Sequence, residues 1–202
     1  LGAVASAGLF SASAGVDEGW TAGDGGIGQY RTFGRWDNDA LQQIHTALTA
    51  AGATNLVQGM TPEWGYKGNV NSGQTWANYV KSGSVTTVTD GVIRTDANDG
   101  ATEFNGTAGA MRYFIFDLGE TKQLTDFIVA GTQPDGTAQC LSHVKIYVAE
   151  DRADLEADDS LVYSRWDQTV DNEQRHFHIR PTAGTVQGRY VAFSIGIGAQ
   201  FY

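Results

Sequence analysis

Beyond Asn55 the apolar residues of this chain fall at every second position or in short runs, and clusters of Gly, Asn, Asp and Ser separate them. Alternate residues of an extended strand point to opposite faces, so the pattern predicts a succession of short β-strands. The clearest are 112–118 (RYFIFDL), 125–130 (TDFIVA), 143–149 (HVKIYVA), 161–164, 175–180 (RHFHIR) and 189–195 (RYVAFSI). Their spacings vary and no long helical pattern comes between them, which argues against parallel βαβ units and for an antiparallel, all-β sandwich. The glycine content agrees: 26 of the 202 residues are Gly, nearly twice the usual ~7% share, and Gly supplies the positive φ that tight turns need.

Upstream the pattern differs. Asp37, Asn38 and Asp39 offer N-terminal caps, Leu41, Ile44, His45 and Leu48 follow at i, i+3, i+4 and i+7, and Gly52 supplies a stop; this predicts one amphipathic helix over 38–52. Residues 19–34 are Gly-rich and turn-forming, and residues 1–15 (LGAVASAGLFSASAG) are small and uncharged. No basic segment precedes them, so they read as a strand or an irregular extension and not as a signal peptide. The expected organisation is an N-terminal extension over 1–54 followed by a sandwich domain over 55–202.

With 13 Lys+Arg against 23 Asp+Glu the formal charge is −10. Nucleic-acid binding depends on neutralising phosphates, so such a chain is a poor partner for DNA or RNA, and for an anionic membrane surface. Uninterrupted apolar runs such as 113–116 are far shorter than the roughly 18 residues of a spanning helix, and no membrane insertion is expected. Cys140 is the single cysteine, which excludes an internal disulfide and a CxxC redox pair.

A series of landmarks in a fixed order resembles the discoidin, or coagulation-factor type C, domains, whose bacterial members include the family 32 carbohydrate-binding modules. Asn55-Leu56-Val57-Gln58-Gly59 is similar to the family's opening segment, and Thr89-Asp90-Gly91 with Thr95 to its "TDGxxxT" loop. Phe116-Asp117-Leu118-Gly119, the run 143–151 (HVKIYVAED) and Gly188-Arg189-Tyr190-Val191 resemble three later strand signatures. The resemblance implies a discoidin-like jelly-roll β-sandwich that binds a ligand with loops at one end. It also implies a non-catalytic glycan-binding module of a secreted or cell-surface bacterial protein, with neighbouring domains on the same chain. An adhesion or spacer domain that binds protein, or no ligand, is the alternative. The family's last strand has no counterpart after 189–195, so the chain is expected to be part of a larger surface protein, with the N-terminal segment filling the vacant strand position.

Carried over residue by residue, the resemblance implies a structural calcium held by the side chains of Asp90 and Thr95 and by the carbonyls of Thr87 and Val92. A hard cation takes six to eight oxygens, and a turn of this kind presents several; the same Asp-Gly pair also makes a plain turn. Sugar recognition needs aromatic faces and planar polar groups. Trp64, Tyr66, Trp76 and Trp166 with Arg165 lie in polar, loop-like stretches and are the expected ligand contacts, each with a core role as its competitor. Galactose specificity is not supported, because no His, Arg and Asn set is found and the loop 133–136 (QPDG) lacks the His.

Three other patterns carry less. His176 and His178 share one face of a strand and form an HxH pair of the kind a cupin metalloenzyme uses, but no Glu follows at the required distance; both are expected to face solvent, with Phe177 and Ile179 inward. Residues 23–28 (GDGGIG) satisfy G-x-G-x-x-G without the βαβ context of a phosphate loop. No HExxH or GxSxG motif occurs, and the paired carboxylates at 158–159 sit in hydrophilic segments, so no catalytic role is expected.

Overall fold

The computed structural model describes residues 19–34, 38–67, 80–82, 89–91, 103–104, 111–130, 143–155, 157–166 and 174–196. The strands are β1 (Thr21–Ala22), β2 (Gln29–Gly34), β3 (Glu63–Lys67), β4 (Val80–Ser82), β5 (Glu103–Phe104), β6 (Met111–Leu124), β7 (Phe127–Ala130), β8 (His143–Ala149), β9 (Leu161–Trp166), β10 (Gln174–Arg180) and β11 (Val186–Gly196). One sheet runs β1-β2-β10-β7, a second runs β3-β6-β11-β8-β9, and β4 pairs with β5. Every pairing is antiparallel. This is the expected all-β sandwich with a single short helix among the described residues.

Alternation builds the core. Val144, Ile146 and Val148 of β8 and Val191 of β11 point one way, Phe177 and Ile179 of β10 and Phe127 and Val129 of β7 point the other, and Tyr163 of β9 closes the cluster. Val144, Ile146, Tyr163, Phe177 and Ile179 are all fully buried. At ~25 cal/mol per Å² of apolar surface, this interleaving of two sheets is the main stabilising term of the fold.

The helix α1 (Asn38–Ala50) lies on the outer side of the smaller sheet, where Leu41, Ile44 and Leu48 meet Phe33, Ala53 and Ile128. It ends where the sequence places its stop. The Gly52 amide bonds the Thr49 carbonyl at 3.0 Å, the Ala53 amide bonds the Leu48 carbonyl at 3.0 Å, and Gly52 sits at φ +90°. That is a Schellman cap, which requires a left-handed residue at the Gly52 position.

Residues 19–34 are integral to the sheet. Thr32 stands opposite Phe177 and Arg31 opposite His178, in a β2–β10 ladder that is regular from His176 to Arg180. The turn 23–28 then reaches across to the edge of the larger sheet, where the Ser164 amide donates to the Ile27 carbonyl at 3.3 Å. A Cβ on Gly28 (φ +74°) would lie 2.7 Å from the Val162 carbonyl oxygen, and one on Gly23 would lie 2.7 Å from that of Ser164. Gly23 and Gly28 therefore serve close backbone approach between this turn and β9, not a phosphate.

Candidate functional site

The opening landmark and the Asp-Gly turn meet in space. Residues 55–60 form consecutive turns begun by Asn55, whose Oδ1 accepts the Val57 amide at 3.3 Å. The Gly59 amide donates to the Thr89 carbonyl at 2.7 Å, and the Thr89 hydroxyl donates to the Met60 carbonyl at 2.6 Å. Thr89 is buried, Asp90 half-buried, and Gly91 takes φ +82° with Gln58 against it. Val57 and Met60 pack on Phe114 and Phe116, which ties this double turn to β6.

For a calcium ion the fit is partial. Asp90 is a half-buried carboxylate on a sharp turn, which is a suitable oxygen donor, whereas the neighbouring Thr89 hydroxyl is committed to Met60. The other three expected ligands, Thr87, Val92 and Thr95, lie outside the described residues. Trp76 does too, as do Cys140 and the 133–136 loop.

The remaining expected sugar contacts sit on strands, not in loops. Trp64 and Tyr66 belong to β3, opposite Phe114 and Arg112, while Arg165 and Trp166 end β9, opposite Val144 and His143. Tyr66, Arg112, Ile195, Val144 and Arg165 form one transverse row across the five strands. The two pairs thus occupy opposite edges of one sheet, four strand spacings or roughly 19 Å apart. Arg165 does not point to an open platform: its guanidinium lies 5.1 Å from the Tyr30 ring centre and 5.4 Å from that of Phe177.

The strongest departure from sequence expectation is the HxH pair. His176 and His178 are both fully buried, not solvent-facing. Phe177 and Ile179 do fill the core, as expected, but the second face of β10 is covered as well, by Trp20 and by α1. His178 Nε2 lies 2.7 Å from Asp126 Oδ1, and its Nδ1 is 3.2 Å from Arg31 Nε and 3.0 Å from Arg31 Nη2. Arginine only donates, so Nδ1 is the acceptor and Nε2–H donates to the carboxylate. Both ring nitrogens are engaged, which leaves no lone pair for a metal and removes the support for a cupin-like centre at His178.

Around this imidazole the charges interlock. Arg180 Nε bonds the same Asp126 Oδ1 at 3.0 Å. Trp20 presents its ring to Arg180 at 4.5 Å and to Arg31 at 4.9 Å, and meets the His178 ring edge-on at 4.8 Å. Burial pushes the His178 pKa down, and the positive charges of Arg31 and Arg180 add to that; against the opposing pull of Asp126 it settles at about 4. Burial raises the Asp126 carboxyl, but hydrogen bonds from His178, Thr125 and Arg180 outweigh it and hold the pKa at about 2. Sequence reasoning missed Trp20, Arg31 and Asp126, since only the pairing of β2, β10 and β7 brings them together.

No family model matches the chain, and no curated protein matches it. Among solved structures, it is similar to a fucose-binding module of Streptococcus pneumoniae, with 15% identity, a TM-score of 0.44, and 73% of this chain and 90% of that one covered. It is similar to a fucolectin from striped bass (Morone saxatilis) serum, with 15% identity and a TM-score of 0.47 over 73% of this chain and 45% of the fish protein. The lectin domain of lectinolysin, solved with Lewis B antigen, gives 14% identity and a TM-score of 0.44 over 73% and 89%.

Proposed function

We propose that this chain is a non-catalytic glycan-binding module that works outside the cell or at its surface. The observation that carries the reading is the docking of the Asn55–Met60 turns onto Thr89-Asp90-Gly91. Two segments that resemble separate landmarks of the discoidin family, 29 residues apart at the Met60–Thr89 bond, pack as one unit against a β-sandwich. The proposal includes a structural calcium at Asp90, with Thr95 and the carbonyls of Thr87 and Val92 completing the set. It assigns sugar contact to the aromatic residues at the end of the larger sheet where Tyr66 and Arg165 lie, with Trp76 from the segment that follows β3.

The test is a glycan array probed with the 202-residue chain in calcium and again after chelation, followed by calorimetry on the best glycan. Saturable binding to a defined glycan class, weakened at least tenfold in Trp76→Ala with the melting temperature unchanged, is the expected result. Absence of binding to every glycan by a chain that melts cooperatively would replace the reading with an adhesion or spacer domain.

A further inference from the structure

We infer that the Arg31–His178–Asp126–Arg180 cluster is an acid-sensitive lock that fastens the N-terminal hairpin, residues 19–34, onto the sandwich. The cluster lies at an interface between distant parts of the chain: Arg31 comes from β2, His178 and Arg180 from β10, and Asp126 from the turn between β6 and β7. The Arg31–His178 contact spans 147 positions in sequence. Arg31, His178 and the Asp126 side chain are each buried.

The chemistry is one-directional. Neutral His178 accepts from Arg31 through Nδ1. Protonation converts Nδ1 into a donor, so the hydrogen bond is lost and two cations face each other at 3.0 Å in a buried place. Asp126 compensates only in part, because Arg180 shares its Oδ1. The helix face packed on this sheet is apolar, through Leu41, Ile44 and Leu48. The helix's titratable residues are the half-buried His45 and the exposed Asp39, and His176 is the other imidazole on the same side of β10.

Release of the hairpin would uncover what it covers. Tyr30 packs edge-on against Tyr163 at 5.7 Å, and the 23–28 turn seals β9, so opening exposes one end of the core and one sheet edge. With the His178 pKa near 4 when locked and near 6.5 when open, the opening equilibrium increases roughly 50-fold between pH 7 and pH 4.5. The lock is independent of what the loops bind.

Hydrogen exchange by mass spectrometry on the full chain, corrected for the intrinsic pH dependence of exchange, tests this. Peptides covering 21–34 should lose protection by roughly 50-fold from pH 7 to pH 4.5 and should be less protected than 144–148 and 191–194 at every pH, because the hairpin opens without global unfolding. In His178→Gln, which keeps one acceptor and one donor but does not titrate, that pH dependence should vanish. The same pH dependence in the variant, or protection of 21–34 equal to that of 144–148 and 191–194 at every pH, overturns the lock. Should the variant fail to fold, NMR titration of the wild-type His178 ring decides instead. A midpoint near 4 that coincides with hairpin opening supports the lock, and an ordinary midpoint near 6.5 with the hairpin still protected refutes it.

Discussion

Single residues fix this fold where two backbones come close. Gly28 and Gly19 both sit in the left-handed region, at φ +74° and +88°, yet their surroundings differ: an added methyl at Gly28 meets Val162 and Tyr163, and one at Gly19 meets nothing within 4 Å. Gly19→Ala should cost about 1 kcal/mol from backbone strain alone, and Gly28→Ala about 2–4 kcal/mol because overpacking adds to it; urea midpoints of the two variants check the difference. Asp90 allows a second test. If it holds calcium, Asp90→Ala lowers the melting temperature in calcium and not after chelation, and an equal loss in both leaves Asp90 as a turn residue only. The spacing of residues 23–28 was legible as a motif, but its purpose was not, because the strand it touches lies more than a hundred positions away. The burial of His178 was hidden for the same reason. A period-two pattern tells which residues share a face and cannot tell whether both faces are covered.

At the scale of elements, local signals were the readable ones. Helix α1 begins and ends where the caps and Gly52 put it, and β8 has the expected limits. An isolated 13-residue helix is marginal in water, so α1 persists through its packed side and not through propensity. Leu41, fully buried at the centre of that contact, should then carry much of it: Leu41→Ala is expected to lower unfolding free energy by about 2–5 kcal/mol. Circular dichroism should show a cooperative fold with weakened helix signal, and a change under 1 kcal/mol would mean the helix is held elsewhere. Strand β6 shows what local reading loses. The pattern predicts 112–118, whereas the strand runs from Met111 to Leu124, through Gly119 at φ +81° and past a register shift opposite Gly188 and Tyr190. A bulge of this kind keeps the ladder while breaking the alternation on which sequence reading depends. Residues 63–67 (EWGYK) read as polar loop and form an edge strand, since one partner strand suffices to hold them.

For the molecule as a whole, sheet order separates residues that sequence placed in one list. Trp64 and Trp166 lie on opposite edges of the larger sheet, roughly 19 Å apart across the strands and three residues out of register, farther than a single sugar ring reaches. A mono- or disaccharide should therefore be sensitive to Trp64→Ala or to Trp166→Ala and not to both, as calorimetry with a short ligand would show. Acid stability sets global charge against local burial. With a net charge of −10 at pH 7 and a pI of about 4.6, self-repulsion falls as pH approaches 4.6, and on that ground alone the fold should grow more stable. The buried cluster argues the opposite. His178 titrates near 4 in the folded state and near 6.5 in the unfolded one, so between those values the unfolded chain binds more protons and stability drops as the pH is lowered. The loss reaches about 2–3 kcal/mol by pH 4.6. Asp126, at about 2 when folded against an ordinary 3.8, adds its own loss only below 3.8, as protons force open the carboxylate that His178 and Arg180 hold. A loss of 2–3 kcal/mol is a large share of a stability of the order of 5–15 kcal/mol. Urea unfolding at pH 7.5, 6.5, 5.5 and 4.6 should thus show a midpoint that is steady down to 6.5 and then declines. A midpoint that climbs to a maximum near 4.6 would mean that surface charge governs acid stability and that His178 is not held neutral in the fold.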